Sequence, residues 1–159
     1  MNRILMLTLV AVLTACGADQ PKTTTTLDLQ ALNGQWVVIN YWAQWCKPCI
    51  KEIPELNALD SKYPQVAVFG VNYDGLTGDE LAQQVSELNI DFPTLAEDPA
   101  PRLGTARPMV LPTTLVLNPD GRLAQTLVGP QTLESLALAT GQAAMPAASP
   151  TAEDLIEER

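Results

Sequence analysis

Short apolar runs alternate with segments of helical period through the middle of the chain. Three runs have no polar face and therefore suit strands buried on both sides: residues 36–41, 66–71 and 113–117. Apolar side chains recur with a helical period over residues 46–61, 79–88 and 132–140. A strong turn at 118–121, Asn-Pro-Asp-Gly, makes residues 122–128 the second arm of a hairpin. This order of elements predicts an α/β domain in which helices cover a mixed sheet.

Both ends of the chain depart from this pattern. Arg3 precedes an apolar run at 4–13, which predicts an export signal, since about 20 apolar residues are needed to span a membrane. The sequence Leu-Thr-Ala-Cys that ends at Cys16 resembles the lipoprotein box of bacteria, in which the chain is cut before the cysteine and its sulfur is lipidated. The competing prediction is cleavage after Ala18, which would release a soluble protein.

The resulting domain organisation has four parts. Residues 1–15 form the predicted signal peptide, and residues 16–27 form the lipidated cysteine and a polar tether. Residues 28–141 form the single globular domain that a chain of 159 residues accommodates. The Ala/Pro/Ser-rich and acidic residues 142–159 are predicted to be a disordered tail.

Charge and residue usage exclude several function classes. The chain has 18 acidic and 9 basic residues, a formal charge of −9, so nucleic acid is not an expected partner. It contains no His, which excludes His-based catalysis, c-type haem attachment and His-containing metal sites. Structural zinc needs four ligands, whereas the sequence offers three cysteines, one of them in the predicted lipidation motif. No cofactor and no metal site are therefore predicted.

The candidate chemistry lies in the sequence Cys-Lys-Pro-Cys at 46–49. Two cysteines separated by two residues, at the start of a helix after a buried strand, are typical of a redox dithiol. The unpaired N–H groups of the helix N-terminus and the charge of Lys47 favour a thiolate on Cys46. Pro48 is tolerated in the first turn because its missing N–H would have no partner there. A purely structural disulfide is the alternative, although so short a loop adds little stability.

This region resembles the active site of the thioredoxin superfamily. The stretch Tyr-Trp-Ala-Gln-Trp-Cys-Lys-Pro-Cys at 41–49 carries the resemblance, and its continuation Ile-Lys-Glu-Ile-Pro is similar to the TlpA/ResA-type exported disulfide reductases. Three later motifs follow in the same order: Phe-Pro-Thr-Leu at 92–95, Leu-Pro-Thr-Thr at 111–114 and Asn-Pro-Asp-Gly-Arg-Leu at 118–123. The resemblance implies a thioredoxin fold. The stretch from Val71 to Pro112 spans 41 positions, which is longer than the matching stretch of thioredoxin. The extra length implies the TlpA-like insertion of a helix and a strand between the second βα region and the cis-proline strand.

The resemblance also implies roles for single residues. Cys46 and Cys49 are the catalytic pair that forms the redox disulfide. Pro112 matches the family's cis-proline, and the backbone around Leu111 is expected to pair with an extended substrate chain. Trp45 is expected to be a surface ring beside the dithiol and part of the substrate-binding surface.

One further residue matches the family pattern, and one residue and one segment depart from it. Glu52 matches the acid typical of ResA-like proteins and is assigned proton transfer to Cys49, whereas its residue type alone favours an ordinary exposed helix carboxylate. Asn40 stands where thioredoxin has a buried acid, so that acid's function is expected to be missing. Residues 107–111, Arg-Pro-Met-Val-Leu, replace a segment in which the family more often has a small residue, so the substrate surface is expected to differ.

These features predict a membrane-anchored extracytoplasmic thiol–disulfide oxidoreductase that mainly reduces disulfides of exported proteins, with cytochrome-maturation thiols as one candidate substrate. Because the domain holds one dithiol, a partner must re-reduce it, and the resemblance implies a membrane thiol-transfer protein. Gly17 after Cys16 favours the inner leaflet of the outer membrane in enteric-type sorting.

Two other activities compete with this prediction. The same dithiol could run as an oxidase, since potentials in the superfamily span roughly −270 to −120 mV. A copper(I)-binding chaperone is the second alternative, because thiolates are soft ligands, but such relatives usually add a His. A peroxidase would need a separate peroxidatic cysteine.

Overall fold

The computed structural model describes residues 24–144 and places seven helices and strands within them. The predicted signal segment, Cys16 and almost all of the predicted acidic tail lie outside the described residues. In chain order the elements are β1 (Trp36–Trp42), α1 (Lys47–Lys62), β2 (Val66–Asn72), α2 (Gly78–Glu87), β3 (Thr113–Leu117), β4 (Leu123–Val128) and α3 (Leu133–Ala139). Each boundary lies within one residue of its sequence prediction. Between residues 24 and 144, every helix is too short or too polar to cross a bilayer.

The four strands form one mixed sheet in the order β2-β1-β3-β4. β1 pairs parallel with β2 and antiparallel with β3, and β3 pairs antiparallel with β4. Tyr41 near the end of β1 is opposite Thr113 at the start of β3, and Thr113 is opposite Val128 at the end of β4. The loop that follows β1, the segment that precedes β3 and the segment that follows β4 therefore lie close together at one end of the strands.

The side chains of β1 alternate between two hydrophobic clusters, one on each side of the sheet. Val38 and Trp42 belong to the cluster under the helices, whose members from α1, α2 and α3 are Cys49, Ile53, Leu56, Leu59, Leu81 and Leu136. Val37, Ile39 and Tyr41 belong to the second cluster on the opposite side. Since neither side of β1 is exposed, the strand is apolar almost throughout, as its sequence predicted.

Among the described residues, no helix contributes to the second cluster. The sheet is covered there by leucines from segments 27–32 and 103–111, which are neither helical nor extended. Pro108 interrupts the second segment, and Pro99 and Pro101 come just before it. Each of them lacks an N–H and disfavours the helical conformation of the residue before it. The predicted cover of helices therefore applies to one side of the sheet, and turns cover the other.

The chain between β2 and β3 contains the predicted insertion in a reduced form. Its helix is α2, and its strand is reduced to two bridge residues, Thr94 paired parallel with Gly70 of β2 and Leu95 paired parallel with Thr25. Backbone hydrogen bonds of 2.9 Å from Gly70 N–H to the Pro93 carbonyl and 2.8 Å from Leu95 N–H to the Gly70 carbonyl hold this segment against the sheet. Gly70 is required at this contact, since a Cβ would lie 2.7 Å from Nε1 of the buried Trp42.

Candidate active site

Cys46 and Cys49 form a disulfide at the N-terminus of α1. Cys46 is the N-cap, with an extended backbone, and its Sγ accepts a hydrogen bond of 3.3 Å from the Cys49 N–H. The sequence explains this arrangement, because Pro48 falls in the first turn, where helical N–H groups have no partner. Cys46 is 4% exposed and Cys49 is 1% exposed, so Cys46 is the cysteine nearer to solvent and to the positive end of the helix.

Glu52 is a buried carboxyl group one helical turn after Cys49, and it is 1% exposed. It points from α1 toward the sheet, where Asn40 of β1 donates a hydrogen bond of 2.9 Å to Oε1. Thr114 of β3 donates a second hydrogen bond of 3.3 Å to the same oxygen, and it accepts one of 3.0 Å from Asn40. Glu52 is therefore not an exposed helix carboxylate, and its contacts join the helix to two central strands.

The surroundings of Glu52 favour its protonated form. Burial raises the pKa of this carboxyl to about 7, although the nearby Gln131 backbone amide and the Thr114 hydroxyl act to lower it. Within residues 24–144, Oε2 of Glu52 and Oδ1 of Asn40 have no hydrogen-bond partner. The carboxyl can therefore change its protonation state near neutral pH.

Asn40 lies next to the buried acid of this site. It stands where the resemblance places a buried acid in thioredoxin, and its amide donates a hydrogen bond of 2.9 Å to Glu52, the acid that the helix supplies. Asn40 lies on the same side of β1 as Val38 and Trp42, facing α1, so its side chain is placed to hold the carboxyl.

The segment that enters β3 lies beside the disulfide loop. The Leu111–Pro112 peptide bond is cis, as the resemblance implied, and Pro112 is buried. Its carbonyl accepts a hydrogen bond of 2.9 Å from the Gly129 N–H, and Thr113 Oγ1 donates one of 2.8 Å to the Val110 carbonyl. Leu111 is half-buried and packs against both hydrophobic clusters.

Trp45 is a surface ring beside Cys46, as expected, with 63% of the residue exposed. Its Nε1 donates hydrogen bonds of 3.1 Å to both carboxylate oxygens of Asp74, and its ring meets Tyr73 edge-on with 6.5 Å between centroids. Other large apolar residues are exposed in α1, before Pro112 and at the end of β4: Ile50, Met109, Val110 and Val128. Val128 ends β4, and Met109 and Val110 come shortly before β3. The sheet register therefore places these three residues at the end of the sheet where β1 leads to Cys46.

The structure brings six of the predicted site residues to this region: Trp45, Cys46, Cys49, Glu52, Leu111 and Pro112. Cys16 lies outside the described residues. In the described part of the chain, no group of three or more Cys, Asp or Glu side chains is arranged to hold a metal ion. The sequence did not single out Tyr73 or Asp98, which contact Arg107 near the site. In the sequence, only the departure of residues 107–111 from the family pattern indicated that the surface near the cysteine pair differs from that of relatives.

The raised pKa of Glu52 predicts how stability depends on pH. The unfolded chain releases this proton near the ordinary value of 4.5, whereas the folded protein keeps it up to about 7. Ionisation therefore favours unfolding, and the free energy of unfolding should fall by roughly 3 kcal/mol between those pH values because of this group. Glu52→Gln removes the titration and should flatten this part of the profile, measured by urea denaturation of the oxidised protein.

The matched control is Glu80→Gln, which removes an exposed carboxylate from α2. It should keep the wild-type dependence on pH. If Glu52→Gln and the wild-type protein lose stability equally between those pH values, the Glu52 carboxyl does not stay protonated in the folded state.

Comparisons with known proteins agree with this arrangement. A sequence profile of the AhpC/TSA family matches residues 14–126. The thiol-disulfide oxidoreductase ResA of Bacillus cereus is 33% identical over 114 residues, which cover 69% of this chain and 64% of that protein. The sporulation thiol-disulfide oxidoreductase A of Bacillus subtilis is 27% identical over 120 residues, 72% of this chain and 73% of that protein. The chain thus spans slightly less than two thirds of the ResA relative.

A solved structure gives the same result for the fold. The DsbF homologue from Corynebacterium diphtheriae superposes with a TM-score of 0.60 and 27% sequence identity. The match covers 74% of this chain and 77% of that one. The fold is therefore shared with that structure, and the chain belongs to the AhpC/TSA family of the thioredoxin superfamily.

Proposed function

We propose that this protein is an extracytoplasmic thiol–disulfide oxidoreductase that works mainly as a reductant of exported proteins. The observation that carries the proposal is the Cys46–Cys49 pair at the N-terminus of α1 with the buried Glu52 carboxyl one turn away. The names of the relatives, thiol-disulfide oxidoreductases of two Bacillus species, support the reaction class. The protein enters the cycle as the dithiol.

The first step is an attack by Cys46 on the substrate disulfide. The positive end of α1 stabilises the Cys46 thiolate, and its position as N-cap leaves it nearer to solvent than Cys49. The thiolate forms a bond to one substrate sulfur, and the other substrate sulfur leaves as a thiolate and takes a proton. The product is a mixed disulfide between Cys46 and the substrate.

The second step releases the substrate and needs a proton acceptor. Cys49 is buried, so its thiol must lose a proton before it can attack the sulfur of Cys46. Glu52 lies three residues further along the helix on the same side and, with a pKa of about 7, is suited to accept a proton near neutral pH. The Cys46–Cys49 bond forms, the substrate leaves as a thiol, and two electrons have passed from the protein to the substrate.

Substrate recognition uses the surface around the disulfide. Within the described residues, the backbone of Leu111 makes no hydrogen bond, so it can pair with an extended substrate chain. Trp45 adds exposed apolar surface next to Cys46. A protein substrate is therefore held by backbone pairing at Leu111 and by apolar contact with Trp45.

Re-reduction and anchoring complete the proposal. The third cysteine, Cys16, lies in the predicted lipidation motif, so the domain has one dithiol and depends on an external donor. We infer a membrane thiol-transfer protein as that donor. Lipidation of Cys16 would hold the domain at the membrane, with the inner leaflet of the outer membrane favoured by Gly17.

Different serine substitutions at the two cysteines test the order of attack. Cys49→Ser keeps the nucleophile but removes the resolving thiol, so mixed disulfides with substrates should accumulate at least about tenfold above the level for Cys46→Ser. Non-reducing gels and mass spectrometry of cells that express each variant measure and identify these complexes. Equal trapping by both variants, or trapping by neither, would contradict the assigned roles.

Glu52→Gln tests the proton acceptor. Reduced protein reacts with 5,5′-dithiobis(2-nitrobenzoate) in two phases, attack by Cys46 and then displacement by Cys49, each of which releases a coloured thiolate. The second phase should slow by about 10- to 100-fold at neutral pH, because the amide accepts no proton, and should no longer follow a titration near pH 7. If the second phase keeps its rate and its pH profile, Glu52 takes no part in proton transfer.

Cys16→Ser tests the anchor. The variant should move from the membrane fraction to the soluble fraction of fractionated cells, because it cannot be lipidated at that sulfur. Disulfide reduction by the purified variant should match that of the wild-type protein, which controls for folding. Wild-type protein in the soluble fraction after export would favour cleavage after Ala18 and contradict lipidation.

A further inference from the structure

Arg107 is the residue that fastens the irregular segment before Pro112 to the rest of the domain. Its Nε lies 3.2 Å from Oδ2 of Asp98, its guanidinium carbon lies 4.1 Å above the ring of Tyr73, and Nη2 donates to the Tyr73 carbonyl. The planar guanidinium thus makes an ion pair, a stacking contact and a hydrogen bond together, a combination suited to arginine and not to lysine.

One end of this arrangement is anchored in the core. The hydroxyl of Tyr41, a fully buried residue of β1, donates a hydrogen bond of 2.6 Å to Oδ1 of Asp98. The same oxygen accepts a hydrogen bond of 3.0 Å from the Ala100 N–H. Asp98 is therefore fixed by the central sheet, and Arg107 is fixed by Asp98.

The other end reaches the disulfide loop through Tyr73. The Tyr73 hydroxyl donates a hydrogen bond of 3.1 Å to the Pro108 carbonyl, which directly precedes the exposed Met109. The Tyr73 ring also makes a T-shaped contact with the ring of Trp45, the neighbour of Cys46. Tyr73 is consequently a shared support for two surfaces, Met109–Val110 on one side and Trp45 on the other.

We propose that Arg107 is a positioning residue that sets substrate specificity by holding Met109–Val110 at a fixed place relative to Trp45. The proposal rests on the proposed disulfide-reductase function. Met109 is 93% exposed and, with Val110 and Trp45, presents apolar surface beside the position where an extended chain would pair with Leu111. The substrates selected in this way are extended polypeptides with apolar side chains next to the disulfide cysteine.

The energetic reason is preorganisation. Met109 and Val110 lie in a segment without helix or strand, so substrate binding would have to order them if Arg107 did not. A small disulfide that contacts only Cys46 should bind equally well whether or not Met109 and Val110 are ordered. The contribution of Arg107 therefore appears in the discrimination between substrates, while the bonds that form and break at Cys46 and Cys49 are those of the proposed function.

Peptide mixed disulfides test the proposal. Two peptides of about six residues carry a central cysteine bonded to 5-thio-2-nitrobenzoate, one flanked by Val and Leu and the other by Ser and Gly. Stopped-flow release of the coloured thiolate from each, at increasing peptide concentration, separates apparent binding from the limiting rate. Wild-type protein should prefer the apolar peptide, and Arg107→Met should weaken binding of that peptide by about fivefold or more, which reduces the preference.

Two further variants separate positioning from charge and folding. Arg107→Lys keeps the positive charge but not the stacked, forked contacts, so it should lose the preference as Arg107→Met does. Arg122→Met removes an exposed arginine from the β3–β4 hairpin and should keep the wild-type preference. Thermal denaturation of each variant shows that a changed preference is not a loss of folded protein.

The outcomes are distinct. If Arg107→Met keeps the wild-type preference, if Arg107→Lys behaves as wild type, or if wild-type protein reacts equally with both peptides, the specificity role is wrong while the reductase function stands. If reduced wild-type protein releases thiolate from neither peptide, the proposed function itself fails.

Discussion

Thr113 of β3 pairs with Tyr41 of β1, and this register determines what lies beside the disulfide. Because the two strands are antiparallel, the start of one is opposite the end of the other. The cis bond before Pro112 is therefore next to the loop that leads from β1 to Cys46. A shift of β3 by one residue would turn Thr114 away from α1 and remove its hydrogen bonds with Glu52 and Asn40.

Glu52 shows how stability and reactivity are linked at this site. An ionised carboxyl in a hydrophobic cluster is costly unless it is hydrogen-bonded, and here one oxygen is bonded while the other has no partner in the described part of the chain. The protonated form is consequently favoured at the pH where a surface glutamate would be ionised. The same burial that lowers the stability of the ionised state gives the group the pKa that the proposed proton transfer needs near neutral pH.

The sequence predicted the elements well because their signals are local. Apolar runs, the Asn-Pro-Asp-Gly turn and helical periods set every boundary to within one residue. The site was predicted in part. The spacing placed Cys46 at the start of the helix, but the cis-proline and the role proposed for Glu52 depended on the family resemblance. The hydrogen bond between Asn40 and Glu52 joins a strand to a helix across the β1–α1 loop, and residue spacing does not encode such a contact.

The contacts of Arg107 could not be predicted from the sequence for a further reason. Asp98 and Tyr73 come from different segments, and none of the three belongs to a periodic pattern. Their side chains are also partly exposed, so the ion pair contributes at most about 1 kcal/mol and the stacking contact a similar amount. The disulfide, in contrast, lies in the buried cluster under the helices, and Glu52 is also fully buried. The cysteine pair and Glu52 are thus held by close packing, whereas Met109–Val110 are held by weaker contacts. Under the proposed function, the surface around Met109 can therefore change in sequence without disturbing the chemistry.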